Sequence, residues 1–468
     1  MKAAEIRERA AALATAPVAQ LDADRFAREH TEFLARTRRS AGLSERAKHV
    51  LPRGVEHVDP MSYPYPLFMH SGHGSRVTDV DGNEYVDCVL AGGAVSLGHN
   101  DPELNAAIAE VISARTNFHG FMDEYEVLAA ERICRVFPSV ESVRFTSSGA
   151  EANLAAMRIA RAYTGHKKIV KFRGGYHGWG DQFMTDLEVP GTGPLLAGGV
   201  PPETLGNTVL VYQNDLDELD RTLAAERDRG GVAAVICEPL GAESGLVPFD
   251  EDFHAQAIEI AHAHGALYVF DEVVTGVRAA RGGAQALFGI RPDLTTLGKG
   301  LMNGYPSCGA VGGRKDIIDT AHIGVPDERP TTYVGGTLSG NVLSAAAAYH
   351  ALGLLSRAGR FEAAEATAAD LVTRLNGLFE QRGTGYFAYH FGTVVRIELT
   401  APHAVPIHDD RSIADVIERR DILSRYMIPV ANAGVLSRMG RDMLTTAHTT
   451  ADNDKVVMAY ERLLDLLG

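Results

Sequence analysis

The chain has 468 residues, of which 45% are hydrophobic and 22% charged, a composition typical of a folded globular protein and not of a disordered one. Its 45 lysines and arginines face 60 aspartates and glutamates, and the resulting net charge of −15 disfavours nucleic-acid binding as the main role. The four cysteines form no CxxC pair, the N-terminus carries charges where a signal peptide needs an apolar core, and no apolar run approaches the length of a membrane span, so we expect a cytoplasmic protein with no metal site and no membrane partner.

The first hundred residues predict a helical start followed by a hairpin. About forty residues at the N-terminus are rich in alanine and mixed charges, which favours helix, and an irregular stretch between Pro52 and Pro66 follows. Residues 75–87 alternate around an Asp-Gly turn, the pattern of a β-hairpin. We assign residues 1–100 to a smaller domain of the protein.

Between residues 101 and 345 short β-rich runs alternate with helical stretches. Strands are predicted at 143–146, 168–172, 208–212, 232–237 and 266–270, and helices at 150–163 and 252–264. The run 232–237 is continuously apolar, as expected for a strand covered on both faces. This alternation predicts a large α/β domain with a mostly parallel sheet covered by helices. Residues 346–468, with a strand at 393–399 and helices at 362–380 and 454–467, predict a C-terminal α+β domain.

Ligands of open α/β sheets bind at the carboxyl ends of the strands, so polar residues there are candidates for function. The segment 146–152 is made of small residues between a strand and a helix, where backbone N–H groups, the helix dipole and the Ser148 hydroxyl favour an anion. A simple capped turn explains the same pattern. Asp271 and Glu272 follow a buried strand, a position that calls for a cation, a hydrogen-bond donor or a helix to cap.

Two further segments follow predicted strands. Lys299 lies between two glycines at the end of an apolar run, where a desolvated amine can condense with a carbonyl group, although a lone loop lysine is more often merely solvated. Tyr176 and Trp179 lie among glycines in 173–179, which offers a flat aromatic face to a planar ring or, alternatively, only packing. An anion cradle, an acid, an amine and an aromatic face are together what pyridoxal 5'-phosphate (PLP) requires.

Motifs between residues 45 and 450 resemble the class III aminotransferases, a family of fold-type I PLP enzymes, and most closely their glutamate-1-semialdehyde aminomutase-like branch. The segments that carry the resemblance are 77–87, 97–99, 147–152, 176–178, 237–239, 271–278, 297–300 and 336–341. The blocks 271–278 and 336–341 are highly specific in combination. The resemblance implies the fold-type I architecture, PLP as cofactor and a homodimer with shared active sites.

The resemblance also implies roles for single residues. Lys299 would hold the cofactor as a Schiff base and then move a proton between the substrate carbon and the cofactor. Asp271 would pair with the pyridinium nitrogen, while Tyr176 and Val273 would cover the two faces of the ring. The other implied cofactor contacts are Ser148, Gly149 and Ala150 at the phosphate, Thr337 at the phosphate of the neighbouring subunit, and His177 and Glu238.

We therefore predict an aminotransferase that moves an amino group from an amino-acid donor to a keto acid, ketone or aldehyde in a ping-pong reaction. An aminomutase or an amino-acid epimerase on the same scaffold is the alternative, and a protein that binds a phosphate-bearing ligand and has lost catalysis is a third hypothesis. The chain departs from the family at Ala150, where a threonine or serine is usual. Aminomutases also carry an arginine for the substrate carboxylate shortly after the segment that is 52–60 here, whereas this chain has none between Arg53 and Arg76.

Overall fold

The computed structural model describes residues 1–57, 63–118, 120–322 and 331–467. The chain divides into two compact units. The larger unit comprises Met1–Arg7, Gly93–Ser96 and Pro102–Phe361, and the smaller unit comprises Glu8–Gly92, Leu97–Asp101 and Glu362–Gly468.

The strands β1 to β14 are, in chain order, Met69–His73, Arg76–Asp79, Glu84–Asp87, Ser142–Thr146, Lys168–Phe172, Thr208–Val211, Val232–Cys237, Leu267–Asp271, Leu294–Gly298, Gly309–Gly313, Phe387–Phe391, Val394–Glu398, Val435–Leu436 and Arg441–Met443. The helices α1 to α17 are Ala3–Thr15, Ala23–Arg36, Arg38–Ala47, Leu90–Gly93, Pro102–Ala114, Glu124–Val136, Gly149–Thr164, Pro202–Leu205, Leu216–Glu226, Ala242–Gly245, Phe253–Ala263, Gly283–Phe288, Lys315–Ile318, Val342–Leu355, Arg360–Gln381, Asp410–Asn432 and Thr450–Leu464. Within the described ranges, none of these helices is both long and apolar enough to cross a bilayer.

A seven-stranded sheet in the order β4-β10-β9-β8-β7-β5-β6 forms the centre of the larger unit. The pairs from β9 through β8, β7 and β5 to β6 are all parallel, and β10 alone runs antiparallel to both of its neighbours, β4 and β9. The predicted fold class, a mostly parallel sheet with covering helices, is thereby confirmed.

Helices cover both faces of this sheet, as the continuous apolar run of β7 requires. Because side chains alternate along a strand, Ala234 and Ile236 pack with residues of α7 on one face, while Val235 and Cys237 pack with residues of α9 and α11 on the other. The residues of β7 are all buried. The apolar core therefore fixes the sheet, and with it the loops that follow the strands.

The smaller unit contains two short sheets, in the orders β1-β2-β3-β13 and β11-β12-β14. The predicted hairpin is present: β2 and β3 pair antiparallel on either side of the turn that contains Asp81 and Gly82. The N-terminal helical stretch is not continuous, because it is divided into α1, α2 and α3. Asp22 starts α2 by accepting a hydrogen bond from the N–H of Arg25 at 2.8 Å.

Candidate active site

All four polar segments singled out in the sequence lie directly after strands of the seven-stranded sheet. Residues 147–152 follow β4, residues 173–179 follow β5, Asp271 ends β8 and Lys299 follows β9. These four strands point in the same direction. In particular, β4 and β9 do so because β10 lies between them in the sheet and is antiparallel to both. Their carboxyl ends therefore meet at one edge of the sheet, where α/β proteins bind ligands.

The Asp271 carboxylate is buried and accepts hydrogen bonds from three donors. Its Oδ2 accepts hydrogen bonds from Asn153 Nδ2 at 2.7 Å and from His177 Nδ1 at 2.8 Å. Its Oδ1 accepts the N–H of Val273 at 3.1 Å and lies 3.5 Å from the hydroxyl of Thr296, at the outer limit of a hydrogen bond. Oδ1 consequently keeps the capacity to accept one further strong donor.

Asn153 and Thr296 complete this network, and neither is predicted from the sequence. Asn153 lies on the inward face of α7, where its Nδ2 also donates to the His177 carbonyl at 3.1 Å. Its Oδ1 accepts the hydroxyl of Thr296 at 2.7 Å. An asparagine among the buried alanines of a helix is the only hint that the sequence offers, because the residues it contacts are more than twenty positions away.

His177 is fully buried beside Asp271. The 2.8 Å contact with the carboxylate assigns the ring proton to Nδ1, while Nε2 is buried and has no hydrogen-bond partner within the described ranges. Burial lowers the pKa of His177, although the nearby Asp271 opposes this shift. A neutral His177 therefore donates one hydrogen bond to Asp271 and fixes the orientation of its carboxylate.

The ends of α7, β8 and β9 approach one another closely. A Cβ atom placed on Gly149 would lie 2.7 Å from both methyl groups of Val273, so only glycine fits there. A Cβ on Gly298 would lie 3.2 Å from a Val273 methyl group and 3.4 Å from the Gly149 Cα. Val273, Gly149 and the residue preceding Lys299 thus form one small cluster.

Lys299 begins a 3-10 turn, Lys299–Met302, directly after β9. Its φ of 43° lies in the left-handed region, which residues with a side chain adopt at a cost and which is enriched at functional sites. Its carbonyl accepts the thiol of Cys308 at 3.3 Å, and its side chain is half-buried. The lysine is thereby held at the same sheet edge as Asp271.

The N-terminus of α7 is the place where the sequence predicts an anion cradle. Ser148 is the N-cap, and its Oγ accepts the N–H of Glu151 at 3.2 Å, which leaves the hydroxyl proton available for donation. Glu151 in turn accepts the N–H of Ser147 at 2.8 Å. The N–H groups of Gly149 and Ala150 belong to the first turn, which has no intrahelical acceptor for them.

Of the remaining predicted residues, Tyr176 is 43% exposed in the loop after β5, and Glu238 is buried directly after β7. Thr337 lies on an exposed turn of the larger unit. Glu272, next to Asp271, has a structural role: it accepts the Thr275 hydroxyl at 2.6 Å and the N–H of Ala284 at 2.8 Å. Of these two neighbouring carboxylates, Glu272 therefore binds groups of the surrounding protein, and only Asp271 faces the site.

These residues fit PLP. A pyridinium N–H needs an anionic acceptor, and Asp271 Oδ1 has acceptor capacity left. The phosphate needs N–H and O–H donors, which the first turn of α7 presents at the positive end of a 16-residue helix. The aldehyde needs an amine, and Lys299 lies beside the cluster that joins α7 to Val273.

Comparison with known proteins gives an independent result. A family model described as "Aminotransferase class-III" matches residues 58–442. A glutamate-1-semialdehyde 2,1-aminomutase 2 of Brevibacillus brevis is 37% identical over 90% of this chain and 97% of its own length. A glutamate-1-semialdehyde 2,1-aminomutase of Syntrophomonas wolfei is 42% identical over 74% of this chain and 79% of its own length.

Solved structures share the fold. An omega-transaminase from Sphaerobacter thermophilus superposes with a TM-score of 0.81 at 29% identity, covering 91% of this chain and 97% of that one. A glutamate-1-semialdehyde aminomutase from Pseudomonas aeruginosa, in complex with PMP, superposes with a TM-score of 0.81 at 26% identity, covering 96% of this chain and all of that one. The similarity thus extends over both units of the chain.

Proposed function

The chain belongs to the class-III aminotransferases, and from this membership we propose that it uses PLP to move an amino group to or from a carbon atom of a small substrate. The observation that carries the proposal is the Asp271 carboxylate, which is buried, held by Asn153 and His177, and able to accept one further donor at the sheet edge that also holds Lys299. Packing of the apolar core does not require an anion at this position, whereas binding of a pyridinium ring does.

When bound, PLP supplies a ring that draws electrons from the substrate carbon attached to the amino group. Asp271 would accept the ring N–H, and the donors Asn153 and His177 would keep its carboxylate correctly oriented. Lys299 Nζ would hold the aldehyde carbon of the cofactor, and the same amine would carry a proton away from and back to the substrate carbon.

Other residues of the chain would hold the cofactor in place. The N–H groups of Gly149 and Ala150, with the Ser148 hydroxyl, would bind the phosphate at the positive end of α7. Val273, packed against Gly149, would cover one face of the ring, and Tyr176 the other. Thr337, on an exposed turn, would reach the phosphate in a second copy of the chain, which makes the active form a homodimer.

An aminomutase reaction, in which the amino group moves between two carbons of one molecule, is supported by the names of the relatives that are 37% and 42% identical. The relatives give this reaction stronger support than plain transamination. Its substrate would carry an amino group and a carbonyl group on neighbouring carbons, as the glutamate-1-semialdehyde in those names implies.

Transfer between two different substrates is the second candidate, and one observation favours it. The sequence has no arginine between Arg53 and Arg76 to bind the carboxylate of an aminomutase substrate. Arg76 itself is occupied, because it forms ion pairs with Glu84 at 2.8 Å and with Asp452 at 2.9 Å within the smaller unit. The solved omega-transaminase, at 29% identity, agrees with this candidate.

A half-reaction experiment separates the two candidates. The PLP-loaded protein is given glutamate-1-semialdehyde alone, or a series of amino acids alone, and the cofactor spectrum and products are followed. Complete isomerisation of glutamate-1-semialdehyde without a second substrate supports the aminomutase. Stoichiometric conversion of the cofactor to pyridoxamine phosphate by an amino acid, with turnover only after a keto acid or aldehyde is added, supports the aminotransferase. Absence of both reactions in the wild type, with Lys299→Ala as the inactive control, contradicts the proposal.

A further inference from the structure

Both oxygens of the Glu238 carboxylate accept hydrogen bonds from two loops of the larger unit. Its Oε1 accepts the N–H of Tyr176 at 2.9 Å and the N–H of Glu243 at 3.0 Å. Its Oε2 accepts the N–H of Ser244 at 2.9 Å and the hydroxyl of Ser244 at 3.2 Å. A carboxylate offers about four acceptor positions, so the protein itself occupies all of them.

The two loops held in this way differ in origin. Tyr176 lies in the loop after β5, whereas Glu243 and Ser244 lie in the turn Ala242–Gly245 after β7. Glu243 and Ser244 both adopt left-handed backbone conformations, with φ values of 48° and 57°, which carry a cost for residues with side chains. Glu238 compensates for this cost by accepting both of their N–H groups.

Glu238 is also buried, and a buried carboxylate is tolerated only where donors or counter-charges surround it. Burial raises its pKa, and the neighbouring Glu243 and Asp271 carboxylates raise it further, while the N–H donors oppose the shift. The fully buried Lys171 lies close enough for its charge to interact with that of Glu238, and it donates to the Thr185 carbonyl at 2.6 Å. Three N–H groups, one hydroxyl and a nearby ammonium group therefore compensate for the burial of this carboxylate.

We infer that Glu238 is a positioning residue: it fixes the backbone of Tyr176, whose ring covers one face of the cofactor, and makes no contact with the cofactor itself. The inference rests on the proposed function for the role of Tyr176, but the contacts of Glu238 exist without it. The resemblance to the family implied that Glu238 is a cofactor contact, whereas an acceptor with four protein donors has no position left for one.

The test compares Glu238→Ala and Glu238→Gln with the wild type in two measurements. The first is hydrogen–deuterium exchange, in protein free of PLP, of peptides covering residues 174–178 and 241–246. The second is the Kd for PLP, measured by its absorption spectrum. Glu238→Ala is expected to accelerate exchange in both peptides and to raise the Kd by about tenfold or more, because the hydrogen bonds to a charged acceptor are lost.

Glu238→Gln distinguishes positioning from direct contact. Its amide oxygen can keep the N–H groups of Tyr176 and Glu243, while its NH2 group faces Ser244, whose hydroxyl can turn to accept. We therefore expect partial rescue: faster exchange in 241–246, near-normal exchange in 174–178, and a Kd between those of the wild type and Glu238→Ala. Glu259→Gln, the same substitution at an exposed position of α11, should match the wild type in both measurements.

Tyr176→Ala separates the ring from the backbone contact. It keeps the N–H that Glu238 accepts, so exchange in 174–178 should stay slow while the Kd for PLP rises. Unchanged exchange or an unchanged Kd in Glu238→Ala overturns the inference, and if that variant does not fold, loss of PLP binding in Glu238→Gln without faster exchange overturns it. If wild-type protein binds no PLP, the proposed function fails, and the exchange data alone decide whether Glu238 holds the two loops.

Discussion

The close contact between the loop after β5 and the first turn of α7 yields the sharpest prediction. Gly178 has a φ of +90°, and a Cβ atom placed on it would lie 2.5 Å from the Cβ and 2.8 Å from the Cα of Ala150. The left-handed backbone costs an alanine about 1–2 kcal/mol, and the overlap costs about 1–3 kcal/mol more, since the loop must move away from the helix. Gly178→Ala should therefore lower the free energy of unfolding by about 2–5 kcal/mol.

The same movement takes the loop 173–179 away from the first turn of α7, where the phosphate is proposed to bind, so the variant should also bind PLP more weakly. Urea unfolding of the PLP-free protein gives the free energy, and spectroscopic titration gives the Kd. The matched control is Gly165→Ala at the end of α7, where φ is +72° and no other atom lies within 4 Å of an added Cβ. This control bears the backbone cost alone, about 1–2 kcal/mol, and should leave the Kd unchanged.

A double variant tests the identity of the contact. Ala150→Gly in the Gly178→Ala background removes the 2.5 Å overlap and leaves the 2.8 Å contact to the Cα. It should restore part of the PLP affinity, although glycine in a helix itself costs about 0.5–1 kcal/mol of stability. Equal stability of Gly178→Ala and Gly165→Ala, together with a wild-type Kd in Gly178→Ala, would refute this account of the contact.

Two further predictions concern Asp271 and a buried histidine. Asn153→Ala removes a 2.7 Å donor from the Asp271 carboxylate and should raise the Kd for PLP and destabilise the protein by about 1.5–3 kcal/mol in urea unfolding, whereas an unchanged Kd would mean that Asn153 does not orient Asp271. Burial lowers the pKa of His254 from 6.5 to about 4. As the pH falls, the unfolded chain therefore takes up the proton before the folded protein does. The free energy of unfolding decreases below pH 6.5, by roughly 3 kcal/mol at pH 4. His254→Gln, which keeps groups that can face the Pro239 carbonyl and the Tyr268 hydroxyl, should show a correspondingly smaller loss between pH 6.5 and 4.5, and the same loss as the wild type would contradict the assignment.

Strands that are apolar on both faces could be predicted from the sequence. The prediction at 232–237 coincides with β7, because a run of buried apolar residues leaves little choice of limits. The prediction at 168–172 coincides with β5, although this strand carries Lys168 and Lys171. Strand β10, Gly309–Gly313, was not predicted, since its glycines have low strand propensity. Packing selects them: a Cβ on Gly309 would lie 2.3 Å from the Ser148 carbonyl oxygen, and one on Gly312 would lie 2.6 Å from a Val140 methyl group.

The residues of the candidate site likewise divide into those that could be predicted from the sequence and those that could not. Lys299 and Asp271 could be found because each interrupts an apolar pattern at the end of a strand. Asn153 could not, since its importance appears only when α7 is packed against the sheet and its side chain meets Asp271 and Thr296. Glu238 was implied only by the resemblance to the family, because its four donors come from two loops whose distance from it no local pattern specifies.

The central claim is that Lys299 and Asp271 hold one PLP molecule between them, and reduction with borohydride tests it most directly. Protein incubated with PLP is reduced, digested and examined by mass spectrometry for a phosphopyridoxyl group. We predict one stoichiometric label on Lys299, no label in Lys299→Ala, and a label that requires much higher PLP concentrations in Asp271→Ala. A label on another lysine, no label at all, or an Asp271→Ala variant labelled as readily as the wild type would contradict the account.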